Sequence, residues 1–300
     1  MVAPAPSPGK SDYRTGENSA GNNGVLACEV TRGKSKRCGC STIGPRTSGI
    51  ARQTSFKPDP IGKITMTTTH AGPLDKYFYF FMSLLIAVVV VCGFSRTVDQ
   101  NLIHPALPRP FLLYIHAAVF SGWVVFFILQ STLVRTHNVR WHRRIGWFGV
   151  ALGVAIPVLG ISTAITMARF NILHFHSTSA ASDLMIPLFD IVAFTSTFAL
   201  AIYWRKKPEF HRRLMLVATC ALTAAAFGRF PPHLLPPVVF YAGVDLLILL
   251  GVGRDLIVNR RIHQVYICAL PAFIIGQVVV MYTNVHELSY WLKIADAILR

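Results

Sequence analysis

Two short phrases repeat the same residue types in the same order. Trp141-His142-Arg143-Arg144-Ile145-Gly146 and Phe210-His211-Arg212-Arg213-Leu214-Met215 each set an aromatic ring, a histidine and two arginines at the start of an apolar run. Two neutral imidazoles at one depth on neighbouring helices can ligate the iron of a b-type haem from opposite faces. Flanking guanidinium groups would then suit the haem propionates, whose carboxylates match the arginine fork. The candidate cofactor-binding residues are therefore His142, His211, Arg143, Arg144, Arg212 and Arg213, with haem b as the cofactor. The plainer reading is that His and Arg at a membrane boundary bind lipid phosphate and fix helix depth. Under either reading, cations at a helix N-terminus oppose the helix dipole, at about 0.3–1 kcal/mol each when exposed. Both phrases thus call for an anion nearby, from lipid or from a cofactor.

A second group lies within the apolar runs. His116, Asp190, Arg229 and Asp245 all fall in the halves remote from the two His-Arg-Arg phrases. A charge there is costly unless it pairs or faces water, so each is a site candidate. Arg229 with Asp190 or Asp245 is the expected ion pair, and His116 beside them can titrate or relay a proton. A polar network that only fixes helix order is the alternative. Gln130 and Gln277 add polar groups for hydrogen bonds between helices. His174 and His176 form a His-x-His without the further ligands of a metal site. Cys92, Cys220 and Cys268 read as small apolar residues, while the Cys38-Gly39-Cys40 phrase, with Cys28 nearby, lacks a second ligand pair. There is no phosphate-binding glycine loop, no nucleophile elbow and no HExxH motif, which weighs against ATP-driven transport and intramembrane metalloproteolysis.

The elements that position these residues follow from composition. Of 300 residues, 53% are hydrophobic and 14% charged, and mean hydropathy is +0.48. A soluble domain carries about a quarter charged residues, so a soluble enzyme is excluded. Apolar runs of about 17–24 residues match a hydrocarbon core about 30 Å thick. They predict an all-α integral membrane bundle of seven spans at 77–95, 111–134, 145–168, 183–204, 214–230, 236–253 and 264–283. The fifth, rich in Ala and Thr, is the least hydrophobic. After the last, Leu288, Trp291, Leu292, Ala295, Ile298 and Leu299 keep a helical spacing, as in a short helix lying on the membrane surface.

Residues 1–65, rich in Pro, Ser, Gly, Thr and Asn, read as a disordered extension to the membrane domain of residues 66–300. Met66 reads as an alternative translation start, leaving that extension untranslated.

The formal charge of +16 divides into two origins. Residues 1–76 hold eleven of the 29 Lys and Arg. Most of the rest collect in alternate connections: Arg135, Arg140, Arg143 and Arg144; then Arg205, Lys206, Lys207, Arg212 and Arg213; then Arg254, Arg260 and Arg261. Because Lys and Arg stay cytoplasmic, this alternation predicts the N-terminus inside and the C-terminus outside. Trp141, Trp147 and Trp204 fall near the same inner interface. The expected partner is a bilayer with anionic lipid on the inner side, and no nucleic acid. Seven-span receptors and rhodopsins have the opposite orientation, and no span carries the lysine a retinal Schiff base needs.

The line Ile115-His116, Gln130, His142-Arg143-Arg144-Ile145-Gly146 and His211-Arg212-Arg213-Leu214-Met215 up to Arg229 resembles an uncharacterised family of bacterial multi-pass predicted membrane proteins. The resemblance covers about residues 105–235 and implies a bacterial inner-membrane location. A looser similarity, to membrane b-type cytochromes with paired histidines, implies haem-based electron transfer. The leading expectation is an inner-membrane protein binding one b-type haem through His142 and His211. The alternatives are a small-solute or proton-coupled transporter using His116, Asp190, Arg229 and Asp245, and a membrane assembly or scaffold protein without chemistry of its own.

Overall fold

A computed structural model describes residues 73–300; the predicted disordered extension, Met66 and Cys28, Cys38 and Cys40 lie outside the described residues. Among those residues there is helix and no strand. The order is α1 (Pro73–Phe94), α2 (Phe111–Arg135), α3 (Val139–Phe175), α4 (Ala180–Asp183), α5 (Met185–Tyr203), α6 (Pro208–Leu222), α7 (Ala224–Phe227), α8 (Tyr241–Asn259), α9 (Gln264–Val285) and α10 (Ser289–Leu299). A π-turn at Asp99–Ile103 and a 3-10 turn at Pro237–Val239 interrupt two of the connections.

Six helical stretches are long and apolar enough to cross a membrane: Lys76–Phe94, Phe111–Arg135, Val139–Phe175, Ala180–Tyr203, Pro237–Asn259 and Gln264–Val285. Each overlaps one of the spans read from hydropathy. The stretch 214–230 is not among them. Its helix starts earlier, at Pro208, and breaks at Thr223, whose hydroxyl donates to the Cys220 carbonyl at 2.6 Å. That back-bond is the local competition by which Thr loosens a helix.

The interrupted helix is also the best packed. Leu216, Val217, Ala218 and Cys220 are wholly buried, because α6 lies against α5, α8 and α9. A helix enclosed by protein needs small side chains for close approach more than it needs bulk hydrophobicity. The low hydropathy of 214–230 is thus a mark of its central place. Around it, α1 packs on α2, α7 and α8, and α3 packs on α2 and α5. Trp123 of α2 meets the rings of Phe194 and Phe198 edge-on at 5.3 and 5.6 Å.

The basic connections gather at one end of this bundle. Arg135 lies over the Tyr77 ring at 4.6 Å, Phe210 meets His263 at 4.6 Å, and Arg213 pairs with Asp255. Helix α3 reaches further toward this end than expected. It starts at Val139, so Arg140, Arg143 and Arg144 belong to a helix and not to a loop. Its 37 residues extend about 55 Å, well beyond a hydrocarbon core.

At the opposite end, Ser289–Leu299 forms the helix that its spacing predicts, and this α10 packs against α3 and α4 with Trp291 and Ala295 buried. The Trp291 Nε1 donates to the Ala181 carbonyl at 3.1 Å, and Arg169 donates to the carbonyls of Ile298 and Leu299, each at 3.0 Å. Those two carbonyls are orphans of a helix C-terminus, which a cation there satisfies.

Candidate functional site: a histidine pair beside a buried ion-pair knot

His142 and His211 occupy the same register. Each is the fourth residue of its helix, counting from Val139 in α3 and from Pro208 in α6. Their rings lie 6.4 Å apart between centroids, inclined at 75°. The His211 Nδ1 is 2.9 Å from the Ala201 carbonyl, which fixes that nitrogen as the donor and turns the opposite nitrogen free. The His142 Nδ1 is buried without a hydrogen-bond partner. The repeated phrase therefore brings its two histidines together.

The arginines of the two phrases part company. Arg213 is buried and forms two parallel bonds with Asp255: Nε to Oδ2 at 2.8 Å and Nη2 to Oδ1 at 2.7 Å. Its Nη1 donates to the Glu209 carboxylate at 2.6 Å and the Glu209 carbonyl at 2.8 Å. Arg254 donates to Asp255 at 2.7 Å, and Asn259 to Asp255 at 3.2 Å. Arg212 bonds Glu209 at 2.7 Å and lies over the Tyr79 ring. The protein's own carboxylates thus engage both Arg212 and Arg213, the arginines expected to face haem propionates. Arg143 and Arg144 have no acidic residue in the first turn of α3, and both are exposed.

Asp255 and Glu209 supply the anion that the second phrase called for, and the sequence reading missed both. The signal was present: an acid next to Arg254 at the end of an apolar run is costly there unless it is paired. Partial burial works against ionisation of Glu209, yet the hydrogen bond from Arg213 and the charges of Arg212 and Arg213 hold its carboxyl below the usual carboxylate range. Burial, then the Arg213 charge, pushes His263 below the ordinary histidine value. Its Nδ1 caps α9, accepting from the Val265 amide at 3.2 Å. A cavity of about 550 Å³ opens beside this knot, lined by Glu209, Phe210, Arg213, Asn259, Arg261 and His263 among others.

The small residues near the histidines mostly pack. A side chain at Gly149 would meet Phe126, one at Gly153 Phe198, and one at Gly160 Ile191. Gly146, one turn beyond His142, is different: a Cβ there meets nothing within 4 Å. In α6 and α7, Ala218, Ala221 and Ala224 are buried against neighbours, and at Gly228 a Cβ would make only ordinary contact.

The outer group is not assembled as expected. Asp190 accepts from the Tyr241 hydroxyl at 2.9 Å, and Asp245 from the Gln277 amide at 3.1 Å. Arg229 pairs with neither. It lies beyond the end of α7, donates to the Ala225 carbonyl and sits over the Phe94 ring at 4.5 Å. The expected ion pair is replaced by two neutral-donor bonds, one joining α5 to α8 and one joining α8 to α9. His116 stacks on Phe120 at 4.0 Å, with Nδ1 buried and unpartnered. His174 packs on Phe170 at 4.5 Å, and His176 closes α3 in a left-handed conformation. Among the described residues, no group of three or more His, Cys, Asp or Glu is arranged to hold a metal ion. No family model, curated protein or solved structure matches this chain.

Proposed function

We propose that the chain is a seven-span inner-membrane protein that binds one b-type haem between His142 and His211 for electron transfer. The observation that carries this reading is the 6.4 Å approach of two rings from matching positions of α3 and α6. Two imidazoles brought this close would be able to hold one haem iron between them. The Ala201 carbonyl would orient His211, and the open space at Gly146 leaves room for a flat group. Haem would supply the one-electron chemistry; Arg143 and Arg144 are the side chains left to meet its propionates. The test is substitution: His142→Ala and His211→Ala each abolish the Soret band, whereas His116→Ala leaves it.

The remaining span is 214–230, carried by α6 from Leu214 onward, by α7 and by the turn that follows. Its length of about 17 residues is enough to cross a hydrocarbon core, and Glu209 lies before it. Arg213 sits with Asp255 at the basic end, while Ala226 meets Gly93 near the far end of α1. This supports a full crossing, and with it an N-terminus inside and a C-terminus outside. A bacterial inner membrane is the location this orientation and the family resemblance favour. The transporter reading has less support, since Asp190 and Asp245 are each engaged in a separate hydrogen bond.

A further inference from the structure

His116, Trp123 and Gln130 stand seven residues apart on α2, and each carries a buried polar side-chain atom with no partner: His116 Nδ1, Trp123 Nε1, and both Nε2 and Oε1 of Gln130. Seven residues are nearly two helical turns, so the three form one stripe, with a rise of about 10 Å from each to the next. Helix α3 supplies two more such atoms, His142 Nδ1 at the basic end and Thr163 Oγ1 toward the opposite end. The two helices are antiparallel neighbours: the His142 ring lies within reach of the Gln130 backbone, and the His116 ring within reach of the Leu159 backbone.

These atoms are hidden from the bundle surface as well as from bulk solvent, so neither lipid nor outside water can satisfy them. Buried polar atoms in native proteins are almost always bonded, and an internal water is the usual partner where protein offers none. Scattered orphans would call for isolated waters. A stripe at constant spacing on one helix, continued on the helix facing it, calls for a line of them.

We propose that this face of α2 lines an internal water track linking the outer-half His116 to the His142–His211 pair. The chemistry of the stripe fits water. Histidine and the Gln130 amide both donate and accept, so each end can hold a water in either orientation. Trp123 only donates and is nearly fully buried against Phe194 and Phe198. It anchors a water at mid-depth and cannot itself relay a proton, so protons pass it through the adjacent water. The track stands whether or not the histidine pair holds haem.

The test is X-ray hydroxyl-radical footprinting of the full chain in lipid nanodiscs, read residue by residue by mass spectrometry. Radicals formed in internal water oxidise side chains that bulk solvent does not reach. The expected result is oxidation of Trp123 in the native chain, and its loss in Gln130→Leu and in His116→Leu, with oxidation of the exposed Trp141 and Trp147 unchanged as the measure of an intact fold. A native chain in which Trp141 and Trp147 oxidise and Trp123 does not overturns the proposal, and needs no variant. Oxidation of Trp123 that persists in either variant also overturns it, since water would then reach the indole by another route.

Discussion

Arg213 and Asp255, forty-two residues apart, form a bidentate ion pair in which both side chains are shut off from solvent, at 1% and 0% exposure. The pair ties the start of α6 to the end of α8 and thereby holds His211 in place on the central helix. Removing one partner strands the other charge, which costs about 3–5 kcal/mol. Asp255→Asn and Arg213→Met should therefore each lower the thermal midpoint of the purified chain sharply. The double variant Arg213→Met/Asp255→Leu should lose less than the sum of the two, as a thermal-shift measurement in detergent will read.

Gly93 of α1 has no room for a side chain, because a Cβ there would press on the backbone of Ala226 in α7, and backbone cannot swing aside. Gly93→Ala should destabilise by about 1–3 kcal/mol, the usual cost of overpacking. Gly122→Ala is the opposite case, since its Cβ would meet nothing within 4 Å. It should be neutral or stabilise by about 0.5–1 kcal/mol through helix propensity. Unfolding of the two variants side by side checks both.

Glu209 gives the knot a pH dependence. Its carboxyl is held below the ordinary range by Arg213 and Arg212, against the effect of partial burial. A group depressed in the folded state contributes stability above its unfolded value, about 4.3, and that contribution fades as pH falls toward the lower folded value. The thermal midpoint of the native chain should thus drop more between pH 6 and roughly pH 3.5 than that of Glu209→Gln. The difference should be modest, because the Glu209 side chain is 56% exposed and solvent screens it.

The proposed orientation has its own check. In a background without native cysteines, Ser177→Cys and His233→Cys should react with a membrane-impermeant maleimide added to spheroplasts. Asn138→Cys and Lys206→Cys should react only after the membrane is opened.

The helices and the histidine pair were legible in the sequence for physical reasons. Hydrocarbon thickness imposes run length, and the repeated phrase puts His142 and His211 at equal distances from their helix starts. What was not legible depended on partner choice across the fold. Arg229 had two carboxylates within its half of the membrane, and nothing in the spacing says that Tyr241 and Gln277 take them instead. Asp255 was concealed by Arg254 beside it, which read as the end of a span. The 214–230 stretch looked like a weak span because hydropathy measures affinity for lipid, and this helix is surrounded by protein.

The most direct measurement is the absorption spectrum of the full chain, purified in detergent from haem-replete cells, before and after dithionite. Haem ligated by His142 and His211 predicts a Soret band that shifts on reduction, a sharp α band, and one haem per chain by pyridine haemochrome. A chain that carries no Soret band under those conditions, or one whose band survives both His142→Ala and His211→Ala, contradicts it.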